Sequence, residues 1–107
     1  MTRTYETQQA CPIARTLDII GDRWTLLVLR DLSRGHTRYS ELLESLAGVS
    51  PNLLSDRLKT LEESGIVERS FYSDHPPRAE YKLTAKGRAL RPALRALYEW
   101  GEQYEPV

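Results

Sequence analysis

Apolar residues recur at helical spacing in five stretches of the chain and at strand spacing in two. Ile13, Leu17 and Ile20 stand at i, i+4 and i+7 behind Pro12, which suits a first helical turn, so a helix begins at or beside Cys11 and ends at Gly21-Asp22. Asp22 is placed to cap a second helix, in which Leu26, Leu27, Val28 and Leu29 point all round the axis and predict burial on every side. Leu32 continues it until Ser33-Arg34-Gly35 turns the chain. Residues 36–39 predict a short edge strand that pairs with a later hairpin.

Residues 40–83 read helix, tight turn, helix, strand, loop, strand without a break. Leu42, Leu43 and Leu46 share one face of a short helix over 40–47, and Gly48-Val49-Ser50 is the three-residue, glycine-containing turn that sets two helices at a steep angle. Ser50 then caps a helix with Pro51 at its first position, and Leu54, Leu58 and Leu61 form the buried stripe, with Leu53 at its margin. Gly65 stops it. Residues 66–72 and 79–83 alternate as two strands, and Asp74, Pro76 and Pro77 predict a protruding, stiff six-residue loop over 73–78. Thr84 caps a last helix, in which Pro92 predicts a kink or a break into two. The fold expected is mainly α with a small β-hairpin (α+β), a winged helix-turn-helix with extra N- and C-terminal dimerisation helices. The chain divides into an arm over 1–10 and a single domain over 11–107, with the helix-turn-helix at about 40–65, the wing at about 66–84 and the C-terminal helix at about 85–104.

With 107 residues the chain suits one core. The start of the sequence is polar, which predicts neither signal peptide nor membrane span and places the protein in the cytoplasm. One cysteine rules out an internal disulfide, and no Cys or His cluster predicts a metal. No cofactor is expected, and the chain carries neither a Ser, His, Asp constellation nor a glycine-rich phosphate loop, so an enzyme is not expected either. His36 and His75 read as surface residues. The formal net charge is zero, which fits modest non-specific affinity for phosphates. Residues 40–71 are acidic on balance, so a local basic strip from Arg38, Lys59 and Arg78 has to do the work, with Glu62, Glu63 and Glu68 turned aside.

The helix-turn-helix implies double-stranded DNA as partner. Asn52 and Ser55 near the helix start are placed to meet base edges, Asn through a bidentate pair with adenine, although polar residues there also simply solvate a helix. Asp56 either accepts from cytosine or orients Arg57 or Lys59. Arg57 lies beside the apolar stripe and is either structural or phosphate-binding. Lys59, Arg38 and the hydroxyls of Ser40 and Ser50 are candidate backbone clamps around Pro51. Arg78 suits a narrow minor groove, or a salt bridge at the strand end. Leu94, Leu97, Tyr98, Trp100 and Tyr104 leave the last helix too apolar to stand alone, so a homodimer is expected, with Ile13 and Leu17 of the first helix beside it. Cys11 at a helix N-terminus has a lowered thiol pKa and suits a sensor of oxidants or electrophiles, or a small side chain at the interface. Two other readings remain: a small-molecule sensor with an aromatic pocket near Trp24, Tyr98 and Trp100, and a winged helix used only for protein interaction.

The segments Cys11-Pro12-Ile13, Leu17-Asp18-Ile19-Ile20-Gly21 and Arg23-Trp24-Thr25-Leu26-Leu27 closely resemble HxlR-type winged-helix regulators. Arg38-Tyr39-Ser40-Glu41-Leu42, Ser50-Pro51-Asn52-Leu53-Leu54-Ser55-Asp56-Arg57-Leu58 and Gly65-Ile66-Val67 follow in register, then Pro77-Arg78, Glu80-Tyr81 and Leu83-Thr84 with Gly87. The resemblance implies a homodimer that binds a palindromic or near-palindromic operator and represses or activates a neighbouring gene, without enzymatic activity. It also implies, for some members, a redox or quinone switch at the Cys-Pro thiol.

Overall fold

Local capping decides where most elements begin. Cys11, in extended conformation, precedes α1 (Pro12–Ile20). Asp22 then caps α2 (Thr25–Ser33): its Oδ1 accepts the N–H of Trp24 at 2.9 Å and of Thr25 at 3.0 Å, and its Oδ2 accepts the Thr25 hydroxyl. α3 (Tyr39–Ser45) starts one residue earlier than the leucine pattern indicates, because Glu41 reaches back to accept the N–H of Arg38 at 2.9 Å. Gly48 makes the turn at φ 96°, a left-handed conformation that side-chain-bearing residues rarely adopt. Ser50 caps α4 (Pro51–Glu63), its Oγ accepting from Leu53 N at 3.1 Å. The computed structural model describes residues 10–74 and 77–107.

β1 (Val67–Asp74) and β2 (Pro77–Leu83) form an antiparallel hairpin. Its register runs from Val67 opposite Leu83 to Asp74 opposite Pro77, with a bulge between Phe71 and Ser73. The expected six-residue loop is therefore corrected: the bulge absorbs the odd residue, and Pro77 is tolerated because it opens its strand. His75 and the tip itself lie outside the described residues. The expected edge strand shrinks to one bridge, Arg38 opposite Glu80, beside a Tyr81 N–H donated to Thr37 O at 2.7 Å. Its cause is the early start of α3, which takes Tyr39 out of extended conformation.

Val28, Leu29 and Leu32 of α2 meet Leu42 and Leu46 of α3, Leu54, Leu58 and Leu61 of α4, and Val67, Tyr81 and Leu83 of the hairpin in one core. Thr84 caps α5 (Ala85–Arg88), its Oγ1 accepting from Gly87 N at 3.2 Å. A β-carbon at Gly87 would lie 2.2 Å from the Ile66 carbonyl oxygen, so α5 rests on the entry to β1 only because residue 87 has no side chain. Gly87→Ala is expected to destabilise the fold by about 1–3 kcal/mol through this overlap, read by thermal unfolding. An unchanged melting temperature would show that α5 yields at no cost.

The C-terminal segment breaks as Pro92 requires, and α6 (Arg91–Tyr104) follows with Pro92 in its first turn. No residue of α6 is buried. Leu97, Tyr98, Trp100 and Tyr104 are each more than half exposed, and Ile13 of α1 is 70% exposed. Among the described residues no helix is long and apolar enough to cross a membrane.

Candidate nucleic-acid interface

Helix α4 owes its fixed start to the Ser50 cap and to a tyrosine on the helix before it. Tyr39 donates its hydroxyl to Pro51 O at 3.0 Å, and Ser55 Oγ donates to that phenol oxygen at 3.3 Å. One phenol thus ties the first residue of α3 to the first turn and a half of α4. On its other side Tyr39 joins Ser40, Phe71, Tyr72, Arg78, Ala79 and Tyr81 around an open cleft of about 320 Å³ between α3 and the wing. The Arg38 guanidinium lies over the Tyr72 ring, 4.2 Å from its centroid. Sequence reasoning missed Tyr39 and Tyr72. An aromatic residue just before an amphipathic helix was the available signal for the first, and nothing local announced the second.

The structure thus gathers Arg38, Ser40, Ser50, Pro51, Ser55 and Arg78 around this tyrosine-linked corner. Asn52 lies in the exposed first turn of α4, and its side chain has no hydrogen-bond partner among the described residues. Lys59 is exposed two turns further along α4, outside the corner. Arg78 is exposed and makes no ion pair among the described residues. Of the acids that oppose phosphate, Glu62 pairs with Arg69 at 3.6 Å and Glu80 with Lys82 at 3.6 Å.

Of the two roles open to Arg57, structural or phosphate-binding, its surroundings match the structural one. It is 3% exposed, and its guanidinium turns inward to Asp22 Oδ2 at 3.2 Å and to Asp56 Oδ2. Leu54, Arg57, Leu58 and Leu61 stand at i, i+3, i+4 and i+7, so Arg57 occupies a core position of its helix. Burial alone would lower its pKa, but hydrogen bonds and charge from Asp56 and Asp22 raise it, and it stays ionised. Asp56 is thereby occupied in orienting Arg57, one of the two roles open to it.

Just before α1, Cys11 is a partly exposed free thiol. The amides of Ala14 and Ile13 at the open first turn of α1 hold its pKa below the ordinary 9.0; burial opposes them and Arg15 assists. Within one subunit the three aromatic residues of the alternative pocket reading have separate neighbours. Trp24 packs beside Gly48 under the Arg23 guanidinium, while Trp100 leans on Tyr104 at 5.4 Å between centroids. Tyr98 and Trp100 are two residues apart on one helix and so face opposite sides of it.

Helix, glycine turn, capped helix and hairpin in this order define a helix-turn-helix protein of the class used in transcriptional regulation. The chain belongs to the HxlR-like helix-turn-helix family, whose family model matches residues 19–107. It is 42% identical over 100 residues to an HTH-type transcriptional regulator of Synechocystis sp., an alignment covering 94% of this chain and 74% of that protein. Among solved structures, the redox regulator HypR in its reduced form superposes with a TM-score of 0.83 at 35% identity, covering 89% of this chain and 94% of that one. Diamide-treated YodB from B. subtilis gives a TM-score of 0.70 at 34% identity, covering 88% and 94%. The protein is accordingly a transcriptional regulator and not an enzyme.

Proposed function

We propose that two copies of this chain bind a near-palindromic operator in double-stranded DNA, with α4 in the major groove and the wing beside the minor groove. The observation that carries this reading is the unpartnered Asn52 side chain in the first turn of a helix whose start is fixed by Ser50 and Tyr39. A fixed helix start with a free amide is what bidentate pairing to adenine needs. Ser55 offers its remaining lone pairs beside it. Arg38, Lys59, Ser40 and Ser50 hold phosphates, and Arg78 reaches the minor groove from the wing.

Selection of binding sites from a random DNA pool supplies the operator, and titration at several salt concentrations then tests the contacts. Each phosphate contact should steepen the log-log salt slope by roughly 0.9. Asn52→Ala is expected to cost about 1–3 kcal/mol at one base pair of each half-site and to relax specificity there. Arg78→Ala should weaken binding across sequences and flatten the salt slope. Failure to select any DNA, with a protein partner still bound by both variants, would make the fold an interaction module.

The second element is a thiol switch, favoured by the lowered pKa of Cys11 and by the likeness to HypR and to diamide-treated YodB. The Cys11 thiolate adds to a quinone to form a thioether on the hydroquinone, or two copies join through their Cys11 thiols in one disulfide when diamide takes up the two electrons and two protons and becomes the hydrazine. Either modification is expected to weaken operator binding by the wild type and leave Cys11→Ser unaffected. Equal responses of the two proteins would remove Cys11 from regulation.

A further inference from the structure

The end of α2 and the first half of α6 flank a broad, open cleft of about 490 Å³ lined by Arg30, Ser33, Arg34, Arg91, Leu94, Arg95 and Tyr98. Its charge is unusual for a chain with no net charge. Arg30 is engaged through Nε by Asp31 Oδ1 at 3.0 Å, while Arg34, Arg91 and Arg95 make no ion pair among the described residues. The Ser33 hydroxyl is sealed from solvent and has no hydrogen-bond partner there either. Beside Arg91 and Arg95, Leu94 and Tyr98 of the same helix supply an apolar wall. Three guanidinium groups without ion-pair partners and a ring beside them match a multiply charged oxyanion joined to a flat apolar group. The volume suits a ligand of metabolite size.

Helix geometry separates this cleft from the exposed apolar stripe of α6. Arg91, Arg95 and Tyr98 recur at i, i+4 and i+7 on the cleft side. Ala93, Leu97 and Trp100 repeat the same spacing two residues later, about 200° round the helix. A second copy seated on Ala93, Leu97 and Trp100 leaves the arginines open, and Leu94 and Tyr98, also expected at the dimer interface, then serve the cleft instead.

We infer that the cleft between α2 and α6 binds a small organic dianion, a phosphate monoester carrying a flat ring, as the effector of this regulator. The effector role rests on the DNA-binding reading above; the binding site does not. A ligand that pulls the arginines of α2 and α6 together sets the angle between the reading domain and the proposed dimer helix. It thereby changes the spacing of two reading heads.

Phenyl phosphate is the probe, titrated calorimetrically into the full-length protein without DNA, with inorganic phosphate and phenol as half-ligands. Saturable binding is expected for phenyl phosphate, weaker binding for inorganic phosphate and none for phenol. Arg91→Ala combined with Arg95→Ala should weaken phenyl phosphate by about tenfold or more. Tyr98→Ala should reduce its advantage over inorganic phosphate. No saturable binding, or binding that both variants leave unchanged, overturns the site. If the arginine variant instead loses its dimeric state, acidic groups of a second copy fill the cleft and the proposal falls. It falls equally if that variant loses DNA affinity in the absence of phenyl phosphate, because the arginines then serve DNA phosphates. Because calorimetry needs no operator, failure of the site and failure of the DNA reading are separately visible.

Discussion

Asp22→Ala is expected to destabilise the folded subunit by about 3 kcal/mol, with a fall in melting temperature on the order of 15 °C at fixed protein concentration. Two losses combine. The amides of Trp24 and Thr25 lose the oxygen that caps α2, and the buried Arg57 loses one of its two carboxylate partners. Asp56 keeps the second, which holds the cost near the lower end for breaking a buried pair. Asp22→Asn retains a capping oxygen and separates the terms, so it should lose less than the alanine variant. The pH dependence has a definite sign. Partial burial pushes the Asp22 pKa up, but hydrogen bonds from Thr25, the Trp24 and Thr25 amides and Arg57 outweigh it and hold it below the ordinary 3.8. Its stabilisation is therefore complete above pH 3.8 and is lost as the pH falls from there through the lower folded value. Asp22→Ala should lose less stability than wild type over this range, the remaining acid limb belonging to groups such as Glu41, whose pKa is also lowered, first by its hydrogen bond from the Arg38 amide. Parallel acid limbs would sink the assignment.

Arg57 also shows where reading the sequence stops. Capping signals act within a few residues, so Asp22, Ser50, Thr84 and the glycine turn at Gly48 announced their elements correctly. The ion pair from Arg57 to Asp22 spans 35 residues and no local pattern encodes it, although the core spacing of Arg57 pointed inward. Tyr39 joins α3 to α4, and Arg38 reaches Tyr72 on the wing, by the same kind of tertiary choice. The hairpin bulge was equally hidden, since alternation alone cannot show that one extra residue is accommodated in a strand rather than in a loop. Among the candidate contact residues, the chain's own pattern indicated which ones are polar and near a helix start. It did not indicate which are already committed to partners, and that commitment separates Asn52 from Arg57.

Leu97→Glu combined with Trp100→Glu is expected to convert the protein to a monomer and to weaken operator binding by about 100-fold or more. Both side chains are more than half exposed on α6, so the subunit keeps its own core and its helical circular dichroism. What it loses is the apolar stripe that water would otherwise cover at a cost. Ile13→Asp on the exposed face of α1 tests the other half of the proposed surface, where Pro12, Ile13, Thr16 and Leu17 wall a shallow groove of about 210 Å³. The predicted loss in DNA binding is large because each reading head is electrostatically weak. With no net charge on the chain, the phosphate term contributes little to one subunit. A second head held at fixed spacing acts at high effective concentration and restores affinity only on a two-fold site. Sedimentation and operator titration should move together across these variants. A wild type that is monomeric at micromolar concentration, or glutamate variants that remain dimeric, would locate subunit pairing elsewhere and leave the exposed stripe of α6 without this role.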